Sequence, residues 1–157
     1  MTPTDPGLTR LAQVAIVCRD IEESARRWAA ILGVETPPFI ITPPGLGTGL
    51  TYRGAPSNAQ ARLAFFHLAN ISIELIEPVG SDSAWQEGLD RNGESVHHIA
   101  FEVQDLPRSL AHFAAHGIEV VSQGRFAADD GTFIYLDSAP ALGATVELLH
   151  HDISPPK

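Results

Sequence analysis

Two stretches of the chain, QVAIVCRDIEESARRWAAILGVE (residues 13–35) and HIAFEVQDLPRSLAHFAAHGIE (residues 98–119), follow one pattern. Each has an apolar strand, an aspartate typical of a helix N-cap, an amphipathic helix and a glycine typical of a helix end. The offset stays constant until a one-residue deletion, and the aligned pairs include Gln13 with His98, Asp20 with Asp105, and Gly33 with Gly117. Such an internal repeat predicts a fold built from two equivalent units.

The last strands of the two copies also match. ISIELIEP (residues 71–78) aligns with ATVELLHH (residues 144–151), which places Glu74 on Glu147. Between helix and last strand, each copy has two further strand-like runs, LGTGLTYRG and ARLAFFHLA in the first and VVSQG and GTFIYLDS in the second. The predicted order in each copy is therefore βαβββ.

We predict an α+β fold of two tandem βαβββ modules in one domain, residues 9–78 and residues 94–151. The linker, residues 79–93, is predicted to contain a short helix around residues 84–91. One module cannot close its sheet alone, so the pair is expected to form a curved mixed sheet around a cleft.

Strand alternation sorts the side chains of each copy onto two faces. The apolar face, expected to lie under the helices, carries Val14, Ile16 and Cys18 in the first copy and Ile99, Phe101 and Val103 in the second. The opposite face carries four polar residues at duplicated positions, namely Gln13, Glu74, His98 and Glu147. If the modules pair about a pseudo-twofold axis, these four side chains surround it.

One imidazole, two carboxylates and one amide form a donor set that suits a first-row divalent metal. Taken singly, a glutamate in a strand usually lies on a solvated face. A histidine in a strand is more often a core residue whose hydrogen bonds are satisfied within the protein. Their duplicated positions favour a shared site. We therefore predict that Gln13, Glu74, His98 and Glu147 hold a divalent metal ion (Zn, Co, Ni, Mn or Mg).

Composition excludes several classes of function. The 157-residue chain has a net charge of −9 and no Lys/Arg cluster, which argues against a nucleic-acid partner. No apolar run approaches the ~20 residues of a membrane span, so no membrane partner is expected. The N-terminal MTPTDPGLTR lacks the pattern of a secretory signal. With one cysteine, Cys18, no internal disulfide can form, and a cytoplasmic location is expected.

The sequence also lacks the residues that several catalytic mechanisms require. Lys157 is the only lysine, so neither a buried Schiff-base lysine nor a Walker A lysine is available. No nucleophile elbow is present for Ser/His/Asp hydrolysis. Cys18 lies on the apolar face of its strand, where a thiol is expected to be inert.

At these residues the chain resembles the vicinal oxygen chelate superfamily, which includes glyoxalase I, methylmalonyl-CoA epimerases, extradiol dioxygenases and bleomycin-resistance proteins. The resemblance covers residues 9–151 and implies the glyoxalase-like fold. Within the superfamily the chain is most similar to the epimerases, through IELIEPVGSDSAWQEGLDRNGESVHHIAFEVQD (residues 73–105). The family pattern implies metal ligands at Glu74, His98 and Glu147, and a structural role for His97.

The chain departs from the epimerase pattern at two positions. Epimerases of this type usually begin their first strand with a histidine ligand, where this chain has Gln13. They also usually carry an acid/base glutamate before the LAFF strand, where this chain has Asn58, which cannot transfer a proton. The set of Gln, Glu, His and Glu is instead similar to the ligand set of glyoxalase I in some lineages.

The resemblance implies a metal-dependent enzyme that abstracts a proton next to a carbonyl or thioester of a small-molecule substrate. Glu147 is the first candidate for the base and Glu74 the second. The alternatives are a glyoxalase I-like lactoylglutathione lyase, favoured by Gln13, and a non-catalytic binding or resistance protein. An extradiol dioxygenase is disfavoured, because those sites use two histidines and one carboxylate.

Substrate recognition has two further candidates in the sequence. Arg53 could meet a substrate carboxylate or phosphate, although an isolated arginine is more often a surface residue. The Pro/Gly-rich segment FIITPPGLGTGL (residues 39–50) is either a cover for the site or a plain connector. By resemblance, the protein is expected to be a homodimer.

Overall fold

The computed structural model describes residues 5–152. Ten strands are present: β1 (Leu8–Val17), β2 (Ile40–Ile41), β3 (Thr51–Tyr52), β4 (Ala55–Pro56), β5 (Gln60–His67), β6 (Ser72–Val79), β7 (Ser95–Val103), β8 (Val120–Arg125), β9 (Gly131–Leu136) and β10 (Val146–His151). Four α-helices accompany them: α1 (Ile21–Leu32), α2 (Ala84–Asn92), α3 (Leu106–Ala115) and α4 (Ala139–Leu142). Within this part of the chain, no helix is long and apolar enough to cross a membrane.

All ten strands form one mixed sheet in the order β2-β5-β6-β1-β7-β10-β9-β8-β3-β4, curled into a half-barrel. The predicted α+β fold with a curved mixed sheet is confirmed. At the centre, β1 and β7 pair antiparallel, and each has a parallel partner on its outer side, β6 beside β1 and β10 beside β7. Val14 pairs with Ile99 at the middle of the β1–β7 ladder, which marks the pseudo-twofold centre.

The two large helices begin and end as their sequences predict. Asp20 accepts a hydrogen bond from the backbone N–H of Glu23 (3.2 Å), and Asp105 accepts one from that of Arg108 (3.1 Å). After each helix a glycine takes the left-handed conformation, with φ of 70° at Gly33 and 75° at Gly117. The aligned aspartates therefore cap both helices alike, whereas at the C-terminal ends Gly33 is itself the cap of α1 and Gly117 follows the cap His116 of α3.

The predicted alternation of faces is confirmed by the packing. Under α1, Ile16 and Cys18 join a buried cluster with residues of the helix. Under α3, Ile99, Phe101 and Val103 pack with Phe113. On the opposite face, Ala15 belongs to a separate cluster that includes Trp85 and Tyr135. The second face of the sheet therefore lines the concave side of the half-barrel.

The first module differs from the prediction in its middle strands. LGTGLTYRG was predicted to be a strand of the first module, but Gly45–Thr48 form a 3-10 turn and only Thr51–Tyr52 is extended. The strand that occupies this place in the first module is β2, which pairs with β5. The short β3–β4 hairpin instead pairs with β8 of the second module. This non-local pairing carries the chain from one edge of the sheet to the other.

The linker contains the predicted helix, observed as α2. Ser83 caps it by accepting a hydrogen bond from the backbone N–H of Gln86 (3.0 Å). Its buried face carries Trp85 and Leu89. Since α2 contacts β6 and β7, the linker is packed against the two strands that carry Glu74 and His98.

Candidate metal centre

Strand register brings the four predicted site residues into two rows across the sheet. In the first row, Ala15 of β1 lies between Glu74 of β6 and His98 of β7. In the second row, Ala100 of β7 lies between Gln13 of β1 and Glu147 of β10. The two rows are related by the pseudo-twofold axis. Because Ala15 and Ala100 are small and fully buried, longer side chains on either side can converge over them.

Three of the four predicted residues meet at the floor of the half-barrel. Donor atoms of Glu74, His98 and Glu147 all lie within 4.8 Å of one another. His98 Nε2 is 2.8 Å from Glu147 Oε2 and 3.5 Å from Glu74 Oε2. All three side chains are buried. Gln13 lines the same cleft as Glu74 and Glu147.

Two of these atoms lack hydrogen-bond partners within the described chain. His98 Nε2 and Glu147 Oε2 are buried, and their contact does not have the geometry of a hydrogen bond. Buried polar atoms without partners are rare and costly, at about 1–3 kcal/mol each. Donors around an ion with bonds of ~2.1 Å are separated by about 3–4.2 Å, which is close to the spacing here. The donor set therefore fits a divalent cation.

Burial and charge act together on the ionisation of the cluster. Burial lowers the pKa of His98, but the Glu147 and Glu74 carboxylates outweigh it and raise that pKa to about 9. Burial raises the pKa of Glu74, and the His98 imidazole opposes that rise. Two carboxylates beside one imidazole make a site with net negative charge, which a cation would neutralise.

His97 contacts the imidazole of His98 and links it to helix α2. His97 Nε2 donates to the backbone carbonyl of Ala84 (2.8 Å), and His97 Nδ1 lies 2.9 Å from His98 Nδ1. Burial and the neighbouring His98 lower the pKa of His97 to about 4, so its Nδ1 is an acceptor. His98 must then donate from Nδ1, which directs its Nε2 towards the carboxylates.

Helix α2 leaves room for this arrangement at Gly88. A Cβ atom at this position would lie 2.6 Å from Cδ2 of His97. Glycine within a helix costs about 1 kcal/mol relative to alanine, so its presence requires a packing reason. The ring of His97 supplies that reason, and α2 therefore supports the Glu74–His98–Glu147 cluster through His97.

Tyr135 is a further polar residue beside the cluster. It pairs with Glu147 across β9 and β10, and its hydroxyl accepts a hydrogen bond from Trp85 Nε1 (2.9 Å). Burial, together with the Glu147 and Glu74 charges, raises its pKa well above the ordinary value, so it stays a neutral phenol. At the equivalent position beside Glu74, β5 carries Phe65.

The cluster opens into a cleft with a volume of about 310 Å³. One wall carries Ile40, Leu63 and Phe65, and the other carries Phe126, Phe133 and Tyr135. Pro43, Thr48 and Leu50 also line the cleft, so part of the segment 39–50 borders the site.

Two residues considered for substrate chemistry lie elsewhere. The Arg53 guanidinium pairs with Glu87 and contacts the Tyr52 hydroxyl, and Arg53 does not line the cleft. Asn58 accepts a hydrogen bond from the backbone N–H of Leu46 (3.2 Å) and does not line the cleft. Neither position supplies a free charged group to the Glu74–His98–Glu147 cluster.

The sequence predicts one of the residues that support the cluster and misses two. The structural role predicted for His97 agrees with its contacts, but no prediction pointed to Tyr135 or Gly88. A signal for Tyr135 exists, because Phe133 and Tyr135 alternate on one face of the predicted strand GTFIYLDS. The role of His97 depends on where α2 packs, which strand alternation alone does not predict.

Fold and site together define a class of protein, in which two βαβββ modules hold a cluster of nitrogen and oxygen donors at their shared axis. The chain belongs to the Glyoxalase/Bleomycin resistance protein/Dioxygenase superfamily, whose family model matches residues 12–135. The family predicted from the sequence is thereby confirmed.

Relatives within this superfamily are similar over most of their length. The ethylmalonyl-CoA/methylmalonyl-CoA epimerase of Cereibacter sphaeroides is 28% identical over 145 residues, which cover 88% of this chain and 96% of that protein. The mitochondrial methylmalonyl-CoA epimerase of Bos taurus is 27% identical over 144 residues, covering 90% of this chain and 74% of the relative.

A similar fold is present in a solved structure of Streptomyces coelicolor methylmalonyl-CoA epimerase in complex with 2-nitronate-propionyl-CoA. It superposes with a TM-score of 0.67 at 23% identity and covers 93% of this chain and 99% of that one. At this identity, the likeness concerns the fold.

Proposed function

We propose that the protein is a metal-dependent isomerase that moves a proton at a carbon next to a carbonyl or thioester. The observation that carries the proposal is the convergence of Glu74, His98 and Glu147, with unpartnered buried donor atoms, at the floor of an apolar cleft. The epimerase relatives support the isomerase class.

The cation would be held by Glu74, His98 and Glu147, with Gln13 as the fourth protein donor. The donor set suits Zn, Co, Ni, Mn or Mg. When bound, a divalent ion acts as a Lewis acid that stabilises negative charge on the substrate oxygen. His97 keeps the donor atom of His98 directed at this position.

Proton transfer is assigned to the carboxylates. Glu147 is the first candidate to accept the proton from the substrate carbon, while the electron pair of the C–H bond moves towards the carbonyl oxygen. Glu74 is the second candidate. Because the two lie on opposite sides of the pseudo-twofold axis, one can remove a proton from one face and the other can return a proton to the opposite face. Inversion at the carbon follows from that arrangement.

The substitution Glu147→Gln tests this assignment. We expect the rate of α-proton exchange with D₂O, followed by ¹H NMR, to fall about 10²- to 10⁴-fold, the range typical of losing a general base. Metal content, measured on the same sample, is expected to be retained, because the amide oxygen still coordinates. Glu102→Gln is the control, since Glu102 pairs with Arg10 at the surface. Full activity of Glu147→Gln would contradict the assignment.

A glyoxalase I-like lactoylglutathione lyase is the second candidate function. Gln13 at the cleft favours it, since this donor set is similar to that of some glyoxalases. Metal-loaded protein assayed with the hemithioacetal and, separately, in α-proton exchange on a thioester distinguishes the two reactions. A non-catalytic binding protein would show neither reaction and would bind its ligand after replacement of all four donors.

The substrate, the oligomeric state and the location of the protein are proposals as well. A small-molecule substrate is proposed on the basis of the cleft volume and of the relatives, which are epimerases of acyl-CoA compounds. The homodimer and the cytoplasmic location expected from the sequence stay predictions.

A further inference from the structure

Tyr135 lies between helix α2 and the Glu147 carboxylate. Its hydroxyl accepts a hydrogen bond from Trp85 Nε1 (2.9 Å), and both side chains are buried. The two rings pack edge to face, with their centroids 6.3 Å apart. The position of the Tyr135 hydroxyl is therefore fixed from the side of α2.

The Tyr135 hydroxyl still has a proton to donate. At neutral pH a phenol is protonated, so after accepting from Trp85 its O–H needs an acceptor of its own. Buried tyrosine hydroxyls usually have such a partner. Glu147 pairs with Tyr135 across β9 and β10, and both line the cleft. After burial, the Glu147 charge has the largest influence on the pKa of Tyr135, which it raises. The Glu147 carboxylate is therefore the acceptor that the strand register offers.

Glu147 can accept this bond and still serve the position proposed for the metal. A carboxylate accepts at both of its oxygens, and Oε2 of Glu147 is the oxygen that lies 2.8 Å from His98 Nε2. The other oxygen is left for Tyr135. Because the last torsion of a glutamate side chain has only broad preferences of its own, a hydrogen bond to the carboxylate restricts its rotation.

The first module shows the equivalent position without a hydroxyl. Phe65 pairs with Glu74 across β5 and β6, and it also lines the cleft. A phenylalanine beside a buried carboxylate is thus compatible with the fold. Packing alone does not require the hydroxyl of Tyr135 in the second module.

Resting on the proposed function, we infer that Tyr135 is a positioning residue for Glu147. Its O–H donates to the Glu147 carboxylate, and Trp85 holds the phenol in the orientation that makes this possible. Glu147 is the first candidate for the base, and Glu74 has no such donor beside it. The contact therefore orients one of the two carboxylates towards the substrate carbon, while Tyr135 itself exchanges no proton with the substrate.

Tyr135→Phe tests the inference in the metal-loaded protein, with α-proton exchange of methylmalonyl-CoA in D₂O followed by ¹H NMR. We expect kcat to fall ~10- to 100-fold, the range for losing an outer hydrogen-bond partner of a ligand, with little change in KM. The visible spectrum of the Co²⁺ form should change as well, because Glu147 is then free to rotate. An unchanged kcat and an unchanged spectrum would contradict the positioning role.

Tyr52→Phe is the matched control. The Tyr52 hydroxyl also donates to a carboxylate, that of Glu87, but Tyr52 does not line the cleft. This variant should alter neither kcat nor the Co²⁺ spectrum. An effect as large as that of Tyr135→Phe would show that the loss is not specific to the contact with Glu147, and it would overturn the inference.

Two further variants separate the hydroxyl from its structural surroundings. Tyr135→Phe leaves Trp85 Nε1 buried without its acceptor, whereas the double variant Trp85→Phe/Tyr135→Phe removes both groups of that hydrogen bond. Trp85→Phe alone keeps the O–H next to Glu147. We expect the double variant to lose as much of kcat as Tyr135→Phe, and Trp85→Phe alone to lose less. Equal losses in the two single variants would assign the effect to packing and overturn the inference.

The stability of the metal-free protein gives a readout that depends on neither metal nor activity. Free energies of unfolding from denaturant titrations complete a double-mutant cycle of Tyr135→Phe and Glu147→Leu. If the O–H donates to the carboxylate, the double variant loses less stability than the sum of the single variants. Such coupling supports the contact even if no exchange occurs in the wild type, in which case only the proposed reaction fails. Additive losses would overturn the inference.

Discussion

The two modules share one plan but build unequal halves of the candidate metal centre. The second module supplies His98, where the first has Gln13. Glu147 of the second module lies beside the hydroxyl-bearing Tyr135, whereas Glu74 of the first lies beside Phe65. Backbone register is equivalent in the two halves, so the difference lies in the side chains. A duplicated fold can thus hold two carboxylates in equivalent places and give them different neighbours.

The support behind the two strands also differs. His97 precedes His98 and joins it to the Ala84 carbonyl, whereas the equivalent residue before Gln13 is Ala12, which packs with Ala100 and has no hydrogen-bonding side chain. The imidazole of the second module is therefore held in place by a hydrogen-bonded neighbour. This asymmetry predicts that the two halves contribute unequally to metal affinity.

The largest expected effect comes from making the two halves alike. In His98→Gln, both modules would present an amide, and the buried nitrogen donor would be lost. We expect metal affinity, measured by competition with a chelating dye, to fall by more than the ~10- to 100-fold typical of losing an outer hydrogen-bond partner of a ligand.

Gln13→Ala is the matched variant in the other half. We expect it to reduce metal affinity less than His98→Gln, because Glu74, His98 and Glu147 still converge. The opposite replacement, Gln13→His, should keep metal binding while adding a second imidazole. If Gln13→Ala lost more affinity than His98→Gln, the proposed asymmetry would be wrong.

An intermediate effect is expected from removing the support of His98. His97→Phe keeps an aromatic ring but breaks the link to Ala84 and frees His98 to change its orientation. We expect metal affinity to fall ~10- to 100-fold, and the visible spectrum of the Co²⁺ form to change. His67→Phe, at an exposed histidine, is the control and should alter neither measurement.

Gly88→Ala tests the same support from the helix. Alanine favours the helix by ~1 kcal/mol over glycine, but its Cβ would lie 2.6 Å from the His97 ring. A loss of metal affinity without a loss of helix content, measured by circular dichroism, would show that the helix acts on the site through His97. Unchanged affinity would show that α2 tolerates the extra atom without moving the ring.

Strand alternation and duplication were sufficient to predict the pairing of the modules and the meeting of Glu74, His98 and Glu147. Alternation and duplication are both visible within short segments of sequence, so they do not depend on the paths of the connecting loops. Prediction failed where pairing was non-local. The β3–β4 hairpin pairs with β8 of the second module. Since β8 is distant in sequence, strand alternation contains no information about this partner.

Arg53 illustrates a second limit of the sequence. The sequence shows a guanidinium near a predicted strand but not the Glu87 carboxylate that pairs with it from α2. An arginine that already has a carboxylate partner is a weak candidate for substrate binding. Its role in recognition stays a prediction, and the cleft residues offer a better-placed set.

The smallest expected effect concerns the helix-facing side, where the modules carry Cys18 and its equivalent Val103. Both are buried, and valine is larger than cysteine by about one methyl group, so Cys18→Val should lower the free energy of unfolding at pH 7 by about 1 kcal/mol, the low end for one added carbon in a packed core. The pH dependence should differ more. Burial raises the pKa of the Cys18 thiol to about 11, above the ~8.5 of an exposed thiol. The unfolded chain therefore ionises first, and the native protein loses stability as the pH rises between these values. Denaturant titrations at pH 7 and pH 10 should show a smaller alkaline loss in Cys18→Val than in the wild type, and equal losses would contradict the raised pKa.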